Sequence, residues 1–303
     1  MIDLNIVWVV GCAGLVLLMQ PGFMCLESGM TRSKNSINVA IKNLADLGIS
    51  ICFYWIFGFA LMFGPSLVGA TGTSGFFLQV ESDPQLAAFF VFQMMFCGTA
   101  TTIVSGALAE RLKFKGYIVI SMLISGGIYP LFGHWAWNGV NQGTLTGWLG
   151  VRGFSDFAGA SVVHSVGGWV SLAALLVIGP RIGRFSATQN KIHGSNLPFS
   201  VLGVMLLWVG WLGFNGGSTF GLSEQIPAIM VHTIMAGAAG MVAAGALGWI
   251  QKEVLEAKTL INGSLAGLVS ITASCNVVST PMAVLIGATG GAVMLLAADI
   301  AVR

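Results

Sequence analysis

The sequence predicts an all-α integral membrane protein with nine membrane spans, and three observations predict it. Only 8% of the 303 residues are charged and 55% are hydrophobic, whereas a soluble domain carries about 25% charged residues to cover its surface. The apolar segments are continuous over about 20 residues, enough to cross a bilayer as a helix, and do not alternate as membrane β-strands do. Lysine and arginine fall on alternate loops. Glycine, with 42 residues, is about twice its usual share of roughly 7%, as expected where membrane helices pack backbone to backbone.

The spans run over 5–28, 38–63, 86–109, 116–136, 157–179, 197–218, 226–251, 260–277 and 281–302. Span one follows Met1-Ile-Asp-Leu, with no basic n-region and no Ala-x-Ala cleavage site, so it is a retained helix. Arg32 and Lys34 end it. Lys42 lies just inside span two with Asp46 four residues on, a spacing that predicts an ion pair at the cytoplasmic entrance to that span. Span three closes on Glu110 and Arg111, followed by Lys113 and Lys115. Span four ends among aromatic residues, His134 to Trp137. Span five runs from Asp156 to Arg181, with Arg184 and Lys191 beyond it. Span six ends at Ser218, span seven precedes Lys252 and Lys258, and Arg303 follows span nine.

Of the 13 lysines and arginines, 12 lie on or beside the loops after odd-numbered spans or at Arg303. Arg152 stands alone on the other side, with Glu81, Asp83 and Glu224. The positive-inside rule makes the cation-rich side cytoplasmic and the N-terminus external, in a multi-pass cell-membrane protein. Trp135, Trp137, Trp148, Phe76 and Phe77 near the outer span ends form an interfacial belt. The long outer connections 64–85 and 138–156, rich in Gly, Ser and Thr, either fold over an entrance or are solvated loops. The five cysteines (Cys12, Cys25, Cys52, Cys97, Cys275) all fall in apolar segments without metal-like spacing and read as buried thiols. The cations form no patch for nucleic acid. No nucleophile–base pair, metal set or cofactor motif appears, so neither an enzyme nor a cofactor is expected.

Span five carries the sharpest chemical signal. From Phe157 to Gly179, His164 is the one residue able to carry a charge near neutral pH. An ionisable group at membrane depth is costly and normally faces a pore, a cavity or a partner. As a continuous α-helix, the segment places Asp156, Ala160, His164 and Gly168 on one stripe. His164 then lies about 12 Å below Asp156, near bilayer mid-depth. In span three Phe92, Phe96 and Thr99 share a face, with Gln93 beside them. In span six Trp211, Phe214, Asn215 and Ser218 follow an i, i+3, i+4, i+7 pattern. Aromatic faces and a hydroxyl above a buried imidazole suit a small cation.

The ordered blocks along the chain resemble the ammonium transporter (Amt/Rh) family over nearly its whole length. They are Met19-Gln-Pro-Gly-Phe-Met-Cys-Leu-Glu27, Arg32-Ser-Lys-Asn35, Ala107-Leu-Ala-Glu-Arg111, His134-Trp-Ala-Trp137, Asp156-Phe-Ala-Gly159 with His164 and Gly179-Pro-Arg181, and Trp211-Leu-Gly-Phe-Asn-Gly-Gly-Ser218. The resemblance implies an Amt-type helical bundle with inverted five-helix repeats, the first nine of about eleven spans being present. It implies one membrane domain over 1–303, with a first half 1–179 and an incomplete second half 180–303. Trp137, Phe96 and Ser218 then correspond to an outer ammonium-recruitment site supported by Phe92. Phe96 and Phe214 correspond to a stacked phenyl gate, at which the ion is deprotonated or partly desolvated. His164 corresponds to the first of two pore histidines, and Asp156 to a buried carboxylate that orders the vestibule or offsets cation charge without contacting substrate. A homotrimer with one pore per subunit is implied, with ammonium, ammonia or methylammonium as substrate and membrane lipid as surroundings.

Three departures stand out. The family's second pore histidine belongs to a tenth span, beyond Arg303, so the sequence is expected to be a fragment. Ala160 replaces a more usual Gly, Ser or Cys. His232 in span seven has no counterpart among the family's functional histidines. Each site also has a plainer reading: His164 as a hydrogen-bonded core histidine, the aromatic stripes as packing, Ser218 as a helix cap, His134 and His232 as structural, and Glu27 and Glu110 as ion-paired with neighbouring cations. A second functional class remains open, an ammonium sensor joined to a cytoplasmic signalling module, because the segment from Arg32 to Leu44 is closer to such relatives. A neutral-solute channel is a third, but it leaves the aromatic vestibule unexplained.

Overall fold

A computed structural model describes residues 3–185, 192–252 and 254–300; the expectations placed on Lys191, the Lys252 side chain and Arg303 lie outside the described residues. Among those residues, eight helices are long and apolar enough to cross a membrane. The eighth expected span, 260–277, is instead the 15-residue helix α12 (Ala257–Ile271), followed by a run of turns. At 1.5 Å per residue α12 is about 22 Å long, short of a bilayer's hydrocarbon core of about 30 Å. Non-helical backbone at such depth needs protein cover, and Thr272 and Cys275 in these turns are fully buried.

Local chemistry explains the other irregularities. Span one is two helices, α1 (Leu4–Leu17) and α2 (Met19–Met30). Pro21 has no N–H to offer the Leu17 carbonyl, which breaks the ladder at Leu18. Span two runs as α3 (Ser33–Phe53), a π-helical turn over Tyr54–Gly58 and α4 (Phe59–Phe63). Span three is the unbroken α5 (Pro84–Leu108), started by Asp83, whose carboxylate accepts the Gln85 and Leu86 amides. Span four is α6 (Phe114–Leu123), a π turn over Ile124–Ile128 and α7 (Tyr129–Trp137). There Pro130 leaves the Gly126 carbonyl without its usual donor. Gly58 allows the two π turns to meet, since a Cβ there would overlap the Ser125 carbonyl.

A short helix α8 (Trp148–Val151) precedes span five. That span opens with a π turn, Ala160–Ser165, and continues as α9 (Val166–Ile178). The remaining spans are α10 (Leu197–Gly217), α11 (Ile226–Lys252) and α13 (Thr280–Ile300), with α12 between the last two. Glycines set the closest approaches: a Cβ at Gly203 would strike the α2 backbone, and one at Gly287 or Gly291 the backbone of α11.

Hydrogen bonds sort the loops to two ends. At the cation-poor end the loop 64–83 is bonded to the loop 138–155, Trp148 N–H to the Gly69 carbonyl at 3.1 Å, and to the end of α7, Trp135 Nε1 to the Ala70 carbonyl at 2.8 Å. Within the first of these loops Ser66–Leu67 and Thr71–Gly72 pair as a short two-stranded ribbon. His134 is part of this frame, its two ring nitrogens 2.8 Å from Ser66 Oγ and 3.0 Å from the Met62 carbonyl. At the cation-rich end Glu110 gathers three segments. Its Oε1 accepts Arg32 Nε at 3.0 Å and Asn35 Nδ2 at 2.7 Å, and its Oε2 lies 3.3 Å from Arg181 Nη1. The ion pairing expected for Glu110 is therefore present.

Three sequence expectations fail. Lys42 does not pair with Asp46: its Nζ donates to the Leu112 carbonyl at 2.8 Å, while Asp46 accepts from Thr102 at 2.9 Å and from the Tyr117 hydroxyl. Glu27 is bonded by Asn43 Nδ2 at 2.9 Å, not by a cation. Cys52 is exposed on the outer face of α3; the other four cysteines are buried.

The Glu110 clasp makes a pH prediction. Burial alone would raise the pKa, but the bonds from Arg32, Asn35 and Arg181 hold it at about 2, below the ordinary 4.5. A carboxylate depressed on folding contributes stability above its unfolded pKa and loses it as pH falls through the folded value. Glu110→Gln is therefore expected to lower the detergent-solution melting temperature near neutral pH, by an amount that shrinks between about pH 4.5 and about pH 2. Melting curves of both proteins across that range check this; a difference that stays constant contradicts it.

Candidate functional site

The site begins with a helix start. The Asp156 carboxylate accepts four backbone N–H groups: Gly159 and Ala160 on Oδ1 at 2.9 and 3.0 Å, Ser161 and Val162 on Oδ2 at 2.8 and 2.9 Å. These are amides left without intrahelical partners at a helix N-terminus, and a carboxylate is their best acceptor. Gly159 makes the tight turn between them, at φ 105°, where a side chain is strained. Burial raises the Asp156 pKa above the ordinary aspartate value, with the four amides opposing it. The Asp156 carbonyl accepts the Trp137 indole N–H at 2.7 Å, and the neighbouring Phe157 N–H donates to the Ala273 carbonyl at 3.0 Å. One short segment thus joins α7, span five and the turns after α12.

This geometry corrects the expected stripe. Residues 156–159 are not helical, so the helical rise from Asp156 to His164 does not apply. His164 lies in a π turn, its N–H bonded to the Gly159 carbonyl at 3.1 Å, five residues back. The extra residue per turn rotates the side chains that follow relative to an α-helix. Gly168 still faces the same cleft as His164. Gly167 faces α5, where a Cβ would overlap Ile103.

Five aromatic rings lead to His164, and two of them touch it. Phe92 and Phe96 lie 4.6 Å apart and tilted by 46°. Phe96 lies 6.2 Å from Trp137 and stacks on Phe214 at 3.8 Å with planes 9° apart. The Phe214 ring is 5.3 Å from the His164 ring, which in turn stacks on Trp211 at 4.8 Å and 14°. All of these residues are buried. The Ser218 hydroxyl donates to the Phe214 carbonyl at 2.9 Å, a capping bond at the end of α10 that leaves its lone pairs to accept. Below the stack, a cleft of about 520 Å³ is lined by His164, Gly168, Trp211, Phe23, Ile103 and Leu265 among others. His164 Nε2 is buried and has no hydrogen-bond partner in the structure.

The predicted Phe92, Phe96, Trp137, Phe214 and His164 thus form one continuous chain of contacts. Asn215 and Thr99 do not join it: Asn215 Nδ2 bonds Thr233 on α11 at 2.9 Å, and Thr99 Oγ1 bonds the Met95 carbonyl at 3.0 Å. His232 Nδ1 is 2.8 Å from the Cys275 carbonyl and pins the turns after α12. Two residues escaped the sequence reading of the site. Trp211 was visible as part of an aromatic stripe, but not as the stacking partner of His164. Thr272 gave no signal at all; its Oγ1 accepts the Trp211 indole N–H at 2.8 Å across 61 residues and fixes that ring.

The arrangement is a buried aromatic stack set beside an imidazole that lines an apolar cleft. The chain as a whole has known relatives. The Ammonium Transporter Family model matches residues 7–303. A putative ammonium transporter of Synechocystis sp. is 60% identical over 302 residues, covering 98% of this chain and 56% of the relative. Ammonium transporter Amt2 of Archaeoglobus fulgidus is 42% identical over 304 residues, covering 96% and 64%. Among solved structures, one described as a sensor Amt protein has a TM-score of 0.92 at 42% identity, over 97% of this chain and 74% of that one. The crystal structure of Saccharomyces cerevisiae Mep2 has a TM-score of 0.88 at 27% identity, over 98% and 67%. The chain spans between 56% and 64% of the length of these two curated relatives. With eight long apolar helices among the described residues and a family match over residues 7–303, this multi-pass membrane protein belongs to the ammonium transporter family.

Proposed function

We propose that the chain forms the entrance and upper pore of an ammonium-conducting membrane protein. The observation that carries this reading is the coplanar Phe96–Phe214 stack, 3.8 Å between centroids, set beside a His164 whose buried Nε2 has no partner. Two phenyl rings in van der Waals contact leave no room for a hydrated ion. A cation arriving there must exchange its water for the faces of Trp137 and Phe96 and the lone pairs of Ser218, with Phe92 holding Phe96 in place. Past the gate, the imidazole of His164 supplies the hydrogen bond that an apolar lumen lacks. Asp156 builds the mouth and lends it negative charge without being a ligand.

In this reading the cation-poor end faces outward, the N-terminus is external and the host is the cell membrane. The chain is one membrane domain whose portions 1–179 and 180–303 are inverted halves. The antiparallel packing of α1 and α2 against α10, the first span of each half, supports that division. By relation to its family it works as a homotrimer, with ammonium or methylammonium as substrate and no catalytic step. A sensing role is the second reading. It is favoured by the 42% identity to a structure described as a sensor Amt protein and by the segment from Arg32 to Leu44. A signalling module on the cytoplasmic side would then read occupancy of the same site.

Uptake of labelled methylammonium tests the proposal. His164→Ala is expected to abolish uptake, and Trp137→Leu to raise the half-saturating concentration about tenfold, the loss of about 1.4 kcal/mol of cation–π attraction. Unchanged uptake in both variants overturns it, while saturable binding without uptake in the unmutated protein selects the sensor. Asp156→Asn is expected to destabilise the protein by about 3 kcal/mol, because one amide oxygen replaces two and an NH₂ group faces backbone N–H donors. A melting temperature matching that of the unmutated protein would contradict the framing role.

A further inference from the structure

The proposed pore makes no use of an arginine cluster at the cation-rich end. Glu110 and Arg111 follow α5; Arg181 and Arg184 lie in the turn after α9. Arg181 Nη1 is 3.3 Å from Glu110 Oε2, and Arg111 Nη1 donates to the Gly179 carbonyl at 3.4 Å, which holds the two loops side by side. Glu110 is fully used. Its Oε1 takes the Arg32 N–H, Arg32 Nε and Asn35 Nδ2, and its Oε2 takes Arg181. The one carboxylate therefore binds two of the four arginines at this end, Arg32 and Arg181, and leaves Arg111 and Arg184 without an acid partner among the described residues. The sequence offers no other acid nearby on either loop, since Asp and Glu are absent from Arg111 to Ser155 and from Phe157 to Ser223.

The excess is felt within the cluster. Arg111 has its pKa lowered, first by burial and then by Arg181 and Arg184, which outweigh Glu110. Its Nε is buried and has no hydrogen-bond partner in the structure. Membrane orientation does not require this arrangement. The positive-inside rule asks for cations near span ends and is nearly indifferent to acids; it does not ask guanidinium groups from separate loops to meet. Exposed apolar side chains surround them: Val177 and Ile182 are each 87% exposed and Phe185 65%, with the Arg184 guanidinium 5.8 Å from the Phe185 ring centre. Such a surface suits the boundary where acyl chains give way to headgroups.

We infer that Arg111, Arg181 and Arg184 form a site for the phosphate of an anionic phospholipid headgroup. The guanidinium fork matches phosphate oxygens in geometry and charge. A single phosphodiester between the loops neutralises the excess and clasps the ends of spans three and five, while the acyl chains cover Ile182 and Phe185. The shared chemistry is the phosphate oxyanion, and a soluble phosphate is the competing source.

The test uses the purified protein in nanodiscs of phosphatidylcholine with or without phosphatidylglycerol of the same chain length, and in detergent with inorganic phosphate. Retained lipid is read by native mass spectrometry and stability by thermal melting. Phosphatidylglycerol is expected to be retained over phosphatidylcholine and to raise the melting temperature. Arg184→Gln, at an exposed residue with no bond to Glu110, is expected to weaken phosphatidylglycerol retention about tenfold, one charge-assisted bond. Its melting in pure phosphatidylcholine should not change. Arg111→Gln should act in the same direction, and Arg152→Gln, which removes the same charge at the opposite end, should have no effect. Equal retention of the two lipids, or equal losses in Arg184→Gln and Arg152→Gln, overturns the site. Inorganic phosphate stabilising the protein as much as phosphatidylglycerol does assigns the site to a soluble anion and overturns the lipid.

Discussion

A helix that begins inside a membrane protein turns its first amide groups toward surroundings without water to receive them, at a cost of several kcal/mol for each group left unmet. Span five meets this with one side chain. The two oxygens of Asp156 take two amides each, and Gly159 supplies the left-handed turn that brings the carboxylate under them. The same residue's carbonyl holds the Trp137 indole, and Phe157 beside it is bonded to the turns after α12. The position of His164 follows from where this cap starts the helix and from the π turn that comes next. Trp137, His164 and the turns after α12 thus share one reference point, and the aromatic contacts are built on it.

The rings do not place themselves. A stacked aromatic pair contributes about 0.5–1.5 kcal/mol beyond its burial, too little to draw helices together against the entropy of ordering them. Phe96 is on α5, Phe214 and Trp211 on α10, Trp137 on α7 and His164 on span five, so their meeting is decided by helix packing. Glycines set it. Gly203 lets the α10 backbone touch α2, and Gly217 leaves room for the Phe92 ring, which a Cβ there would overlap. Thr272 then orients Trp211, and Trp211 flanks His164. The site is therefore as rigid as the glycine-packed helices that carry it.

How much of this could be read from the residues depended on whether the signal was local. Long apolar runs and alternating loop charge gave the crossings, because bilayer thickness and orientation impose them on each segment separately. The residues Phe92, Phe96, Trp137, Phe214 and His164 were legible because each is anomalous on its own helix and the ordered blocks around them resemble one family. The π turns were not legible: Ala160–Ser165 contains no proline, and the shift in register comes from the cap and from packing on α5. Thr272 and the Ser66–His134 bond join positions more than 60 residues apart and leave no trace in spacing. Lys42 and Asp46 had the spacing of an ion pair, yet each found an uncharged partner on α6 or the segment leading into it. Inside a membrane protein a nearby carbonyl or hydroxyl competes well with a charged neighbour, since pairing charges still requires both to be desolvated.

The two interfacial carboxylates show how charge is distributed along the molecule. Glu110 is satisfied by guanidinium groups, which leaves the cation-rich end with a net positive excess. Asp156 is satisfied by amide dipoles, which stabilise the carboxylate without neutralising it. An arginine in place of those amides would hold the carboxylate equally well, but it would set a fixed cation beside Trp137 and Phe96 and repel any cation approaching the mouth. On the proposed function, this is why a helix start and not a salt bridge holds Asp156. The negative charge remains to act on the entering ion through a low-dielectric wall, where an unscreened charge has more effect than it would in water. With acids at one end and uncompensated arginines at the other, the charge pattern that would orient the chain in the bilayer would, on the proposed function, also favour cations at its outer mouth.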